Sequence, residues 1–462
     1  MDISNISKSY TGMETCLIIP APIRSHVIPS FYLASLFNEH YKVIYACYKG
    51  ELDELVLANG FENRIITSER FALGFDPVES WQTHGQKISF RFLASAVKNG
   101  LIMATYKKRK AELSKLITEL NPEIIFIDIF SSTDFLIIKP LFPNITIAFF
   151  NPMLNTYNPN GYANVKGELN ANTEKNGLIL NAIKNATSPS RLLAKLTGYD
   201  PIWQLKYVYK KNPALQQYPI DNENKVVRLF KNVQELILAP KELEFSELVC
   251  KNNQLYLGLC QNIKRKDTLI DETFYISIKN IFKSKFETGN PLIYCSFGSY
   301  FSSVDEHKYI ISFCLYLIKT FHNKPMLFVI SIKNEITESI SKYTTIPSNF
   351  FFFTRVPQLE ILKEANLFIT HGGLGSIKEA IFMQVPMLVY PLDLSWDQKG
   401  NAQKIEFHHI GISGNFKNDG LKEIEEKILK LLRDPAYKQN ILALSEKCSS
   451  VKSLTTILNF IK

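Results

Sequence analysis

A chain of 462 residues that is 46% apolar and 21% charged, with only 20 Gly and 21 Pro, is too long for one ordinary core and too apolar for a disordered or collagen-like polymer. Its 53 Lys and Arg against 44 Asp and Glu leave a formal charge of +9, carried in short clusters such as Lys107-Lys108-Arg109-Lys110, Lys210-Lys211 and Lys264-Arg265-Lys266. No aromatic-interleaved basic motif accompanies them, so they read as solvated surface and no nucleic-acid partner is expected.

Short apolar runs alternate with helical patterns, as parallel α/β units require. Residues 15–20 (TCLIIP) read as a strand, followed by a turn, a helix over 29–40 and a strand at 42–47 (KVIYAC). Leu113, Leu116, Ile117 and Leu120 share one face of a helix over 111–120. It runs through Asn121-Pro122 into a strand at 123–128 (EIIFID) that ends on Asp128. A fourth strand is predicted at 145–150. Residues 151–224, rich in Asn, Pro, Tyr and Lys, read as irregular helices and loops inserted in the first domain. Strands return at 235–239 and 255–259, and the polar stretch 261–290 reads as containing the linker.

A second α/β unit starts at 291–296 (PLIYCS) and turns at Phe297-Gly298-Ser299. Strands are predicted at 326–331, 350–353, 367–370 and 385–390, and the chain is helical from Lys422. The economical reading is an α/β protein of two doubly wound, Rossmann-like domains facing each other across a cleft. We place them at 1–262 and 291–445, joined by a linker at 263–290.

The seven cysteines are scattered without a C-x-x-C pair, which fits reduced thiols in a cytoplasmic protein. The start MDISNISKSYTGMET has neither a basic nor a long apolar stretch, so no signal peptide is expected. The uncharged run 140–160 is broken by four prolines and reads as no transmembrane helix. Neighbouring His408 and His409 point about 100° apart on a helix and do not chelate one metal together. No D-x-D triplet is present, and no metal or other cofactor is called for. Cys295 reads as a small buried strand residue.

The densest signal lies between residues 355 and 402. The strand at 367–370 delivers His371 and Gly372-Gly373-Leu374-Gly375-Ser376 into a helix. Glycines admit close backbone approach, and free amides at a helix start attract phosphate oxygens. Gln358 and Glu379 have the chemistry to read hydroxyls or a base edge. Taken singly these residues have plainer readings: Ser376 and Glu379 spell an ordinary capping box, and glycines serve tight turns. In order, however, Val356-Pro357-Gln358, Thr370-His371-Gly372-Gly373, Ser376, Glu379, Val385-Pro386, Asp397-Gln398 and Asn401-Ala402 resemble the nucleotide-sugar signature of the UDP-glycosyltransferase superfamily. These are inverting family 1 glycosyltransferases with the GT-B fold.

The resemblance implies that Gln358 contacts the base and Glu379 the ribose. It implies that His371, Gly373, Gly375 and Ser376 hold the diphosphate, and that Asp397 and Gln398 bind the donor sugar. Ser296, Gly298 and Ser299 resemble the family's Gly-Ser loop. Arg355 stands where the family usually has a base-stacking Trp before V-P-Q, and its planar guanidinium offers another stacking surface. The loop Leu392-Asp393-Leu394-Ser395-Trp396 is longer than the family norm. The resemblance also implies that the last helix, 446–462, packs back on the first domain.

For a reacting centre, the first domain offers His26 after strand one and Asp128 at a strand end. Residues 102 positions apart meet at the carboxyl edge of a doubly wound sheet, and a carboxylate fixes an imidazole tautomer. The pair resembles the family's catalytic base in G-H-x-x-P, with Ser25 here in place of Gly. Local capping by either residue is the competing reading. Phe71, Phe75, Trp81 and Phe90, with Phe92, Tyr157 and Tyr162, are candidates for an apolar acceptor pocket or for ordinary core. The expectation is transfer of a sugar, such as glucose, from a nucleotide diphosphate to a hydroxyl of a phenolic, terpenoid or polyketide acceptor. A GT-B-fold UDP-sugar 2-epimerase, a non-catalytic relative, and a lipid-acceptor enzyme docked on the membrane through its Lys clusters are the alternatives. Oligomeric state is not legible.

Overall fold

The computed structural model describes residues 12–72, 102–157, 164–167, 201–224, 226–245, 250–298, 304–394 and 396–462. The first half carries β1 (Thr15–Ile19), β2 (Lys42–Cys47), β3 (Glu62–Ile65), β4 (Ile124–Asp128), β5 (Thr146–Asn151), β6 (Ile220–Asp221), β7 (Leu229–Phe230), β8 (Glu235–Ile237) and β9 (Gln254–Tyr256). β6 and β7 pair with each other antiparallel. The others form one parallel sheet in the order β3-β2-β1-β4-β5-β8-β9. The second half carries β10 (Leu292–Ser296), β11 (Leu327–Ser331), β12 (Phe350–Phe353), β13 (Leu367–Thr370), β14 (Met387–Val389) and β15 (Gly411–Ser413), parallel in the order β12-β11-β10-β13-β14-β15.

Central strands such as β4 and β10 are buried along their whole length. This is why they read as unbroken apolar runs. In each sheet the strand order reverses beside its first strand, between β1 and β4 and between β10 and β13. Crevices in doubly wound sheets open at that reversal, outside the carboxyl ends of the strands. His26 follows β1, Asp128 ends β4, Gly298 follows β10 and His371 follows β13. All four calls therefore stand at a reversal point.

Several local readings need correction. The first helix runs Arg24–Phe37 with Pro29 inside it, not from residue 29. The chain enters at Ile23, whose carbonyl accepts from both His26 and Val27, so Pro29 forfeits only one later hydrogen bond. The stretch read as linker contains the helix Glu272–Thr288, capped by Asp271 and ended by Gly289 at φ +68°. Its Phe274, Ile278 and Ile281 are buried with Leu292 and Tyr294. The strands β3 and β15 were not predicted. β3 is polar and partly exposed. At β15, a Cβ on Gly411 would lie 2.2 Å from the Met387 carbonyl, so only glycine allows that pairing.

The last helix, Leu454–Ile461, buries Ile457 and Ile461 among Val27, Phe31 and Phe126 beside the first sheet. Lys462 then pairs with Glu123 at 3.1 Å. Among the described residues, no helix is long and apolar enough to cross a membrane.

Candidate active site

His26 lies in the first turn of its helix, and its Nδ1 is 2.9 Å from Asp128 Oδ2, with side-chain exposures of 8% and 0%. Asp128 also caps the 3₁₀ turn that follows β4, Oδ1 accepting from the Phe130 amide at 2.8 Å. Capping and pairing thus occur together in one carboxylate. That turn is held from several sides. Arg70 donates to the Phe130 carbonyl at 2.6 Å, Ser132 to the Arg228 carbonyl at 2.6 Å, and Arg109 grips Asp134 at 2.9 and 2.5 Å. Asp128 therefore has little freedom, and the imidazole Nδ1 is engaged, which leaves Nε2 for chemistry.

In the second domain His371 sits between two glycines. A Cβ on Gly298 would lie 2.7 Å from its ring, and one on Gly373 2.6 Å from its Nε2. Only glycines fit on both sides. Burial pushes the imidazole down to about 4, against the opposing Ser296 backbone, so His371 is neutral near pH 7. Its Nδ1 has no hydrogen-bond partner among the described residues. An orphaned buried nitrogen between glycines, beside the start of the helix Leu374–Phe382, suits an anionic ligand. Gly375 faces open space. Ser296 ends β10, and Ser299 lies outside the described residues.

Ser376 and Glu379 do not form a capping box: the helix starts at Gly373 without a side-chain cap. Instead Gln358 Nε2 donates to Ser376 at 3.2 Å and to Glu379 Oε2 at 2.8 Å, while Tyr294 donates to Gln358 at 3.3 Å. Val356 is buried in the second core, so its side chain serves packing rather than ligand contact.

The sequence reading missed what approaches this group. Arg265 donates to Glu379 Oε1 at 2.6 Å and to both oxygens of Asp267 at 3.1 and 3.2 Å. Arg24 reaches Asp267 at 3.3 Å and Glu51 at 3.0 Å, and Arg355 reaches Glu51 at 2.8 Å. Three arginines and three carboxylates thus join the first domain, the connecting segment and the helix Leu374–Phe382 of the second domain. Burial opposes ionisation of Glu51, but Arg355 and Arg24 outweigh it and hold its carboxyl below the usual range. The solvated-surface reading fails for Arg265 and likewise for Arg109, because each arginine leaves its lysine neighbours to enter a buried ion pair. The mixture of an Arg with flanking Lys was the available signal, since Arg tolerates burial in bidentate pairs better than Lys.

Asn401 binds Asp397 Oδ2 and the Gly372 carbonyl, both at 2.9 Å. This ties the loop before the helix Gln398–Phe407 to the glycine turn. Burial pushes the Asp397 carboxyl up, opposed by the Asn401 amide and by the Lys404 charge. Gln398 Oε1 accepts from the Leu392 and Asp393 amides at 2.8 and 3.0 Å, so half of its amide serves its own loop. Of the acceptor candidates, Phe71 is core, packed edge-on to Tyr106 at 5.0 Å. Tyr157 is buried and donates to Asp221 at 2.8 Å. Phe75, Trp81, Phe90, Phe92 and Tyr162 lie outside the described residues.

Comparison with known proteins bears on the family and the fold. Residues 235–454 match the family model described as UDP-glucoronosyl and UDP-glucosyl transferase. A Bacillus subtilis protein named uncharacterized UDP-glucosyltransferase YojK is 30% identical over 177 residues, 37% of this chain and 41% of its own length. The chain therefore spans about two fifths of that relative. Over nearly the whole chain the likeness is to solved structures. The glycotransferase of kitacinnamycin gives a TM-score of 0.63 at 16% identity, covering 94% of this chain and 95% of that one. The glycosyltransferase VinC in complex with DTDP gives 0.63 at 13%, covering 97% and 98%. These likenesses are of fold, the two-domain GT-B architecture.

Proposed function

We propose, from the match of residues 235–454 to the UDP-glucoronosyl and UDP-glucosyl transferase model and from the YojK likeness, that the chain is a member of the UDP-glycosyltransferase superfamily and transfers a sugar from a nucleoside diphosphate to a hydroxyl of an apolar small molecule. The observation that carries the reading is the buried His26–Asp128 pair in one domain and the glycine-flanked His371 in the other, each at the reversal point of its own sheet.

His26 Nε2 takes the acceptor's hydroxyl proton as the acceptor oxygen bonds to the anomeric carbon. The bond from that carbon to the diphosphate breaks, its electron pair leaves with the nucleoside diphosphate, and the configuration inverts. Asp128 keeps the proton on Nδ1 and stabilises the imidazolium formed. Backbone amides at the start of the helix Leu374–Phe382, with neutral His371 as a donor, receive the leaving-group charge, so the proposal requires no metal. Glu379 and Gln358 read the nucleoside, Arg355 flanks the base, and Asp397 and Gln398 read the sugar.

UDP-glucose and a dTDP-sugar are the donors to try, the latter because VinC was solved with DTDP. The test is incubation of the purified protein with each donor and a panel of phenols, terpenoid alcohols and polyketides. A glycoside product supports the reading. Formation of an epimer of the donor without any acceptor would replace it by the epimerase alternative.

A further inference from the structure

The loop before the helix Gln398–Phe407 carries Trp396 out of its own domain. The indole packs on the first core and lies 5.6 Å from the Phe130 ring at 47°. Phe130 in turn lies 4.6 Å from the His26 ring at 37°. The three rings make one continuous wall, two from the first domain and one from the second. Lys166 Nζ stands 5.6 Å over the indole. The backbone beside Lys166 is pressed onto the helix, where a Cβ on Gly400 would lie 2.1 Å from the Val165 carbonyl. Gln403 donates to the Gly167 carbonyl at 3.4 Å.

Because Asp128 engages His26 Nδ1, a hydroxyl giving up its proton does so to Nε2, with the rest of its molecule beside the imidazole. The apolar surface continuous with that ring is Phe130 and then Trp396. A flat ring system stacks along such a wall and gains the quadrupolar attraction that aromatic pairs have beyond area burial, whereas a saturated skeleton of the same size gains area alone. We infer that Trp396 is a specificity-determining residue for the acceptor, selecting planar aromatic alcohols over aliphatic ones of equal size. What becomes of the hydroxyl rests on the transferase reading; recognition of the ring is a binding property and is measured without turnover.

Naphthol and its saturated counterpart decalol are titrated calorimetrically into the wild-type protein, Trp396→Ala and Trp396→Phe, with UDP as a control. In Trp396→Ala both ligands lose the buried area, and naphthol affinity falls about five- to tenfold further than decalol affinity, while UDP affinity stays within about twofold. Trp396→Phe keeps most of the naphthol affinity. Unchanged naphthol binding in Trp396→Ala, equal losses for naphthol and decalol (area alone) or for all three ligands (a domain staple only), or no naphthol binding by the wild type would each overturn the inference. Naphthol binding that depends on Trp396 in a protein that transfers no sugar to it upholds the wall and instead contradicts the transferase.

Discussion

Arg265 donates to Glu379 at 2.6 Å across 114 positions of sequence, with side-chain exposures of 5% and 6%. The carboxylate expected to read the ribose is therefore paired and aimed by a residue from the segment between the sheets. Removing one partner of a buried pair leaves the other charge stranded, at a cost of about 3 kcal/mol. Arg265→Ala should lower the unfolding midpoint by that equivalent and weaken UDP binding. Adding Glu379→Gln should restore stability but not UDP binding. Calorimetric unfolding checks this, and a double variant no more stable than Arg265→Ala contradicts the coupling.

Asp128→Asn separates the two duties of that carboxylate. An amide oxygen still accepts from the Phe130 N–H, but the amide nitrogen now faces His26 Nδ1 and forces the proton onto Nε2. The base is then blocked with little change in shape. Turnover should fall about 10³-fold or more, with UDP affinity and thermal midpoint nearly unchanged. Steady-state kinetics on a responsive acceptor decide it; a loss below about tenfold contradicts the role.

The glycines around His371 make a graded series. Gly298→Ala and Gly373→Ala place a methyl 2.7 and 2.6 Å from the imidazole, and Gly298 also has φ +78°, which strains any Cβ by about 1–2 kcal/mol. UDP affinity should fall about tenfold or more in each. At Gly375 nothing lies within 4 Å, so Gly375→Ala should fold as the wild type does, and a loss of UDP affinity there reports contact with the diphosphate itself. Calorimetric titration of the three variants distinguishes the positions.

His371 gives the protein an acid-sensitive element. The unfolded chain protonates this imidazole below its ordinary 6.5, the folded one only below about 4. The stability attached to neutral His371 is therefore complete above pH 6.5 and is lost progressively as pH falls toward 4. Linkage puts the loss at pH 5 on the order of 2 kcal/mol. Urea unfolding at pH 7.5 and 5 should show it in the wild type and not in His371→Asn. Parallel pH dependences would contradict it.

Much of this architecture is legible in the sequence because parallel strands buried on both faces leave unbroken apolar runs. β13 is found at its full extent for that reason. β3 escaped because an edge strand carries Glu62 and Arg64 on a solvated face. The helix Glu272–Thr288 escaped because its Lys-rich composition masked a legible spacing, Phe274, Ile278 and Ile281. In the candidate site, the turn around His371 is legible because close packing on the imidazole imposes glycines at fixed places, and the meeting of His26 with Asp128 because strand ends converge. Arg24, Glu51, Arg265 and Asp267 are not, since no periodicity records an ion pair formed between distant segments. The contact of Trp396 with Phe130 is hidden for the same reason: it exists only when both domains are in place.

The most direct test is sugar transfer by the wild type and His26→Ala, followed as glycoside formation from UDP-glucose or a dTDP-sugar with an aromatic alcohol. Donor binding is measured in parallel. The wild type should form the glycoside. His26→Ala should bind the nucleoside diphosphate as tightly while losing transfer by about 10³-fold or more. A variant that transfers at the wild-type rate would contradict the assignment of His26 as the base.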